Sequence, residues 1–274
     1  MVHARSGFCV SSSTPNVNVS ASEKPASRLP ADTLPEGYVQ LWRMDTPVAD
    51  DRLEFLASLL SPQEHARAQG LALPAQKQRF ITRRGLLRTI LGHYLQTPAR
   101  QVELVYGPQG KPLLCSRTHA GQSLHFNFTH SRELAILAVT RDDEVGVDVE
   151  AIDTQRSIEG IARRYFHELE WQRISEMDGQ QQAQAFFDTW ACKEAIVKAQ
   201  GGGIMAGLQS FVIQGVSACP GQRQVTCPQG NPMPWTLHTL QVHDQSQHPF
   251  MTAIARRGSQ WRFSDHLADA AQLL

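Results

Sequence analysis

VGVDVE, residues 145–150, alternates valines with Gly146, Asp148 and Glu150, and its reading decides how the chain is organised. Period-two alternation marks a strand, with Val145, Val147 and Val149 turned to a core and the two acids sharing the other face. Side chains two apart on a strand stand roughly 6.5 to 7 Å apart along the chain, near enough for an Asp and a Glu to hold one cation between them. A strand with one wet face is nonetheless common, so the pair gains chemical meaning only if a third acid joins it from another element.

Outward from this strand, the chain on each side falls into the same order. Upstream, YVQLWRM (38–44) reads as a first strand. Helical spacing of apolar residues then runs over Asp50 to Gly70 and over Ala75 to Gln96. The second helix turns Phe80, Leu87, Ile90, Leu91 and Tyr94 to a core and leaves Arg79, Arg83 and Arg84 to solvent or a ligand. QVELVYG, a turn GPQGKP, and SLHFNFTHS followed by ELAILAVT read as strands and hairpins. Because VGVDVE follows the turn RDDE, it is expected to pair with ELAILAVT. Downstream come helices near Ile158 to Glu176 and Gln180 to Gln200, the second ended by glycines 201–203. LQSFVIQG, WTLHTLQV and PFMTAIARR complete a sheet.

Strand, helices, strands thus occur twice, without a residue-level repeat. Helices and antiparallel strands in separate runs predict an α+β fold with a duplicated architecture rather than a doubly wound sheet. Residues 1–36, rich in Ser, Pro, Ala and Asn and without periodicity, predict a disordered tail. Residues 37–140 and 141–260 form the two halves, and 261–274 a C-terminal tail.

Composition narrows the function. The 274 residues carry 26 basic and 26 acidic side chains, so no global attraction to nucleic acid or an anionic membrane is expected. No apolar run approaches the ~20 residues that span a bilayer, and the N-terminus lacks a charged-then-apolar secretory pattern. Five cysteines with no C-x-x-C pair predict a reduced, cytoplasmic setting. The zero balance hides a segregation. Between Ser61 and Arg117 stand nine Lys and Arg against Glu64 and Glu103, whereas Asp142 to Glu194 holds thirteen acids against five bases.

The third acid is sought in FFDTWACKEAIVKAQGGG (186–203), where Trp190, Glu194 and Lys198, four apart, share one helical stripe. A Glu-to-Lys pair at this spacing is also a common solvent-face stabiliser worth ~0.3 kcal/mol. Lys193 reads as surface charge. GPQGKP is no Walker loop, since Val105 and Pro112 stand where glycine and Ser or Thr are needed, yet Gly110 and Lys111 can still present a turn to a phosphate. A lone His130 at a strand end is more often structural than a ligand. The spacing of five between His238, His243 and His248 fits neither a helix nor a strand face, so they read as loop histidines.

Taken in order, RFITRRGLLR (79–88), GKP (110–112), FNFTHS (126–131), GVDVE (146–150) and W-x-x-KEA-x-x-K (190–198) resemble the 4'-phosphopantetheinyl transferase superfamily, in particular its long surfactin-synthetase-activating type. The resemblance spans roughly Tyr38 to Arg257. It implies a pseudo-twofold α+β fold, two similar halves in one chain enclosing coenzyme A at their junction. It also implies a reaction: transfer of phosphopantetheine from coenzyme A to a serine of an apo acyl or peptidyl carrier protein. Carried over by position, Asp148, Glu150 and Glu194 match the Mg²⁺ ligands, and Lys198 the lysine on the diphosphate. Arg79, Gly110, Lys111, Pro112, Thr129 and His130 match positions around the nucleotide and its phosphates. Thr129 stands where many members have serine, and Arg67 is a further phosphate candidate. Glu194 is the candidate base for the carrier serine, and fused halves imply a monomer.

Two other classes are weighed. A metal-dependent nuclease or phosphodiesterase shares the D-x-E pattern, but usually sets its second acid and lysine two apart on a strand, and the absence of a basic surplus counts against nucleic acid. A non-catalytic carrier-binding module would not need the acids and Lys198.

Overall fold

The computed structural model describes residues 34–46, 48–107, 111–115, 123–201, 207–215, 219–258 and 261–266. In the first half, β1 (Tyr38–Asp45) leads through α1 (Asp50–Ser58), α2 (Pro62–Gln69) and α3 (Pro74–Leu95) to a small hairpin, β2 (Leu104–Tyr106) and β3 (Pro112–Leu114). β4 (His125–Ser131) and β5 (Leu134–Thr140) close that half. The second half runs β6 (Val145–Ala151), α4 (Glu159–Tyr165), α5 (Glu168–Ser175), α6 (Gly179–Ala199), β7 (Val212–Gln214), β8 (Gln222–Thr226), β9 (Pro232–His243) and β10 (Pro249–Arg257). β11 (Arg262–His266) follows.

The strand order explains the duplication. One sheet is β11-β1-β5-β4 and the other β6-β10-β9-β8-β7. In each half the first strand pairs antiparallel with the last, and the last with the one before it, while one long helix covers the outer face. α3 buries Leu86, Leu87, Ile90 and Leu91 against Trp42, Leu137 and Val139 of the first sheet. α6 buries Phe187, Ala191, Ala195 and Ile196 against Leu237, Met251 and Ala253 of the second. Each fully buried Leu or Ile contributes roughly 1.5–3 kcal/mol, so these two contacts hold each half together. A third core lies between the sheets, where Val145, Val147 and Val149 meet Val39, Leu41, Ile136 and Ala138.

Two expectations are corrected. β6 does not pair with ELAILAVT: β5 is already bonded along both edges, to β1 and β4, so β6 opens the second sheet beside β10. The C-terminal tail from residue 261 gives way at Arg262–His266, which run parallel to β1 and extend the first sheet. The expected N-terminal tail lies outside the described residues except for 34–36, where Leu34 is buried in the first core. The predicted helices also divide. Ser61 caps α2 with a reciprocal Glu64 bond, Pro62 following, and His167 caps α5 with a reciprocal Glu170 bond. Strand β8 was not anticipated, since QRQVT shows no clear apolar alternation.

Among the described residues β6 has no backbone ladder on its other edge, and side chains of β4 bond to it instead. Asn127 Oδ1 accepts from the Val147 N–H at 2.9 Å, and Ser131 Oγ from the Ala151 N–H at 3.2 Å. The two sheets are therefore joined along a seam of side-chain-to-backbone bonds.

Candidate active site

The seam carries the site. Alternation on β4 sends Asn127, Thr129 and Ser131 towards β6, while Phe126, Phe128 and His130 face the α3 side. On β6, Gly146, Asp148 and Glu150 face α6. A Cβ on Gly146 would lie 1.8 Å from the Ala195 carbonyl oxygen and 2.7 Å from the Ala199 nitrogen, so only glycine lets strand and helix approach this closely. Glu194 and Lys198 directly precede those two alanines, and the contact brings them over Asp148.

Asp148 is buried, accepts from Thr129 Oγ1 at 3.1 Å and pairs with Lys198 Nζ, which also donates to Thr129 Oγ1 at 3.0 Å. Glu150 accepts from Trp190 Nε1 at 3.1 Å. The Trp190, Glu194 and Lys198 stripe therefore lies along β6, an end at each acid. Asp148 Oδ2 and Glu194 Oε1 are buried with no hydrogen-bond partner among the described residues. Burial first, then the Asp148 charge, pushes Glu150 and Glu194 each up to about 7, and burial also raises Asp148 against the pull of Lys198 and Thr129.

These three carboxylates thus repel one another in a poorly solvated place, and the donor set is all oxygen, suited to a hard divalent cation such as Mg²⁺. Among the described residues no group of three His, Cys, Asp or Glu stands ready-made around a metal point, and Lys198 engages Asp148. The buried, unpaired carboxylate oxygens and their mutual repulsion are what a cation would relieve, so the residues fit.

On the opposite face of β4 lies a basic pocket of about 400 Å³, lined by Arg67, Arg79, Arg83, Arg84, His130 and Arg132 with Phe80 and Phe128. Arg83 is buried and, chiefly through desolvation, lowered to about 10, so it stays charged at neutral pH. Arg84 lies over the rings of Phe80 and Tyr106. Arg83 Nε and Arg84 Nη1 are buried donors with no partner among the described residues. His130 stands at the pocket mouth. Desolvation, then the charges of Arg83, Lys198 and Arg84, hold it down at about 4, so its ring is neutral near pH 7 and can accept a hydrogen bond. The influence of Lys198 on His130 ties the pocket to the acidic cluster.

Lys111 reaches across from the first half, donating to the Lys198 carbonyl at 2.9 Å with the Glu144 carboxylate 3.6 Å away. Pro112 is buried at the start of β3, and Gly110 lies outside the described residues. The structure thus gathers Asp148, Glu150, Glu194, Lys198, Thr129, His130 and Lys111 about the seam. Arg79 and Arg67 lie in the adjoining pocket.

Lys193 corrects the surface reading. It is wholly buried, donating to the Leu208 and Phe211 carbonyls at 2.6 and 2.9 Å and pairing with buried Glu170 at 2.9 Å. Glu170 also accepts from the Ile213 and His167 N–H groups at 2.7 and 2.8 Å. Lys193 therefore anchors α6 to α5 and β7. Residues that the sequence did not single out include Asn127 and Ser131, whose only signal is alternation with Thr129. His238 and His243 belong to β9 rather than a loop, His238 packing edge-on against Trp261. His248 pairs with Asp244 in the following turn.

A family model described as the 4'-phosphopantetheinyl transferase superfamily matches residues 144–267. A second, described as 4'-phosphopantetheinyl transferase, N-terminal, matches residues 45–142. The 4'-phosphopantetheinyl transferase HetI of Nostoc sp. is 35% identical over 230 residues, covering 84% of this chain and 92% of the relative. The 4'-phosphopantetheinyl transferase Sfp of Bacillus subtilis is 25% identical over 171 residues, 62% of this chain and 73% of that protein. A solved holo-(acyl-carrier-protein) synthase of Bacillus anthracis in complex with CoA aligns with TM-score 0.30 and 15% identity, over 42% of this chain and 96% of that one.

Proposed function

Because this chain belongs to the 4'-phosphopantetheinyl transferase superfamily, we propose that it transfers the phosphopantetheine arm of coenzyme A to a serine of an apo acyl or peptidyl carrier protein. The observation that carries this reading is a matched pair of unmet needs across one strand. Among the described residues, Arg83 and Arg84 hold buried donors without partners, and Asp148 and Glu194 hold buried acceptors without partners. A phosphorylated nucleotide with its divalent cation supplies an anion to the first pair and a cation to the second.

Asp148, Glu150 and Glu194 would hold Mg²⁺, which when bound neutralises charge on the diphosphate. The basic pocket would take the 3'-phosphate and nucleotide of coenzyme A, with Lys111 and His130 towards the diphosphate. The segregated charge of the two halves becomes a divided grip on one ligand. In the reaction, the carrier serine oxygen attacks the pantetheine-side phosphorus and the bond to the bridging oxygen breaks. Adenosine 3',5'-bisphosphate leaves. Glu194, beside the acids that would hold the cation, is placed to accept the serine proton, directly or through water. Lys198, between Thr129 and Asp148, is placed to offset charge on the leaving oxygen.

The test is to incubate the protein with coenzyme A, Mg²⁺ and several apo carriers and to weigh the carriers intact. A carrier that gains one phosphopantetheine supports the reading, and a panel of acyl and peptidyl carriers that all stay apo sinks it. Glu194→Gln is expected to lower kcat by about 10²- to 10⁴-fold at saturating coenzyme A and Mg²⁺. Wild-type turnover in that variant would remove Glu194 as the base. A monomer is the proposed state, since both halves of the site lie in one chain. A cytoplasmic setting is proposed from the cysteine usage, and no described helix is long and apolar enough to cross a membrane.

A further inference from the structure

The basic pocket is closed by a turn to which the reaction assigns no role. Arg132 and Glu133 alone join β4 to β5, and Arg132 adopts φ 47, the left-handed conformation that a two-residue hairpin favours. This reversal aims the turn back at α3. The Arg132 carbonyl accepts from Arg83 Nη2, and the Glu133 carboxylate accepts from Arg79 Nε at 2.9 Å and from Arg79 Nη2. Arg79 and Arg83 are four apart on α3, so one turn clasps both. From β1, Thr46 locks the clasp: its Oγ1 donates to Glu133 Oε2 at 2.7 Å and its N–H to the Glu133 carbonyl at 2.8 Å.

Glu133 takes the Nε edge of Arg79, and the Nη1 donors, on the far side of the guanidinium from the carboxylate, have no hydrogen-bond partner among the described residues. Building on the nucleotide reading of the pocket, we propose that Glu133 is a positioning residue that holds the Arg79 guanidinium ready for the 3'-phosphate of coenzyme A. Two effects oppose each other here. A carboxylate beside the pocket repels an anion, but the Arg79 and Glu133 side chains are 36% and 32% exposed, so solvent and salt screen that repulsion. The two-point clasp, braced by Thr46, fixes the geometry of a long arginine in advance and removes a cost that binding would otherwise bear. The net effect is tighter binding of the 3'-phosphate.

Calorimetry with adenosine 3',5'-bisphosphate and with adenosine 5'-monophosphate tests this on wild type, Glu133→Ala, Glu133→Gln and Thr46→Val. Wild type should prefer the bisphosphate. Glu133→Ala should bind it about 10-fold more weakly while the monophosphate changes by less than about 2-fold, and KM for coenzyme A should rise in step with kcat little moved. Glu133→Gln, which keeps one acceptor for Arg79, and Thr46→Val, which loosens Glu133, should move the same way by less. Bisphosphate affinity at or above wild type in Glu133→Ala would overturn positioning, as would equal weakening of both nucleotides. A wild type indifferent to the 3'-phosphate would instead overturn the nucleotide reading of the pocket, and this inference with it.

Discussion

Glu194 and Lys193 are neighbours in sequence and opposites in role, and only one of them was legible. Glu194 shares a stripe with Trp190 and Lys198, so helical spacing together with the acids of VGVDVE pointed to it. Lys193 carries the same charge as Lys198, and its burial arises from the Leu208 and Phe211 carbonyls and Glu170, partners that spacing along α6 does not reveal. Lys193→Ala would leave Glu170 buried and uncompensated, and should cost about 3–5 kcal/mol of stability, read by denaturant unfolding. Asp148→Ala removes a ligand candidate and frees Lys198. It should abolish carrier modification while circular dichroism and the melting transition stay close to wild type. His130 gives a pH prediction. Its folded pKa, about 4, lies below the usual 6.5, so the unfolded chain binds more protons between these values. Stability should therefore fall as pH drops from about 6.5 towards 4, and His130→Asn should make that fall shallower in pH-dependent melts.

At the scale of elements, the long helices were readable because α3 and α6 show sustained apolar spacing, whereas short pieces were fused across their caps. The pairing of β6 was misread for a physical reason: alternation gives a strand its faces but not its neighbours, and a short turn favours the preceding strand only while that strand has a free edge. Gly146 was legible as a motif position, yet its cause lies in α6. Gly146→Ala places a methyl group within bonding distance of the Ala195 carbonyl and forces the helix off the strand. A loss of about 3 kcal/mol or more is expected in thermal or chemical unfolding, with activity lost alongside it, because Glu194 and Lys198 ride on the same contact.

For the molecule as a whole, the duplicated order of elements and the segregation of charge were both visible in sequence, and the seam that unites them was not. Asn127 and Ser131 look like ordinary polar strand residues until β6 is laid beside them. Asn127→Val should leave the Val147 N–H buried without its acceptor and cost about 1–3 kcal/mol in denaturant unfolding. A seam of this kind has a further consequence. Apart from β11, which crosses from beyond β10 to pair with β1, each half completes its backbone ladders internally, and the two sheets adhere through side chains and an apolar layer, much as two subunits of a dimer do. Their union has the character of a binding equilibrium held at very high effective concentration by the short link through Asp143. Carrier modification then depends on an intramolecular association, and a chain nicked at that link should recover activity in proportion to how tightly its two fragments recombine.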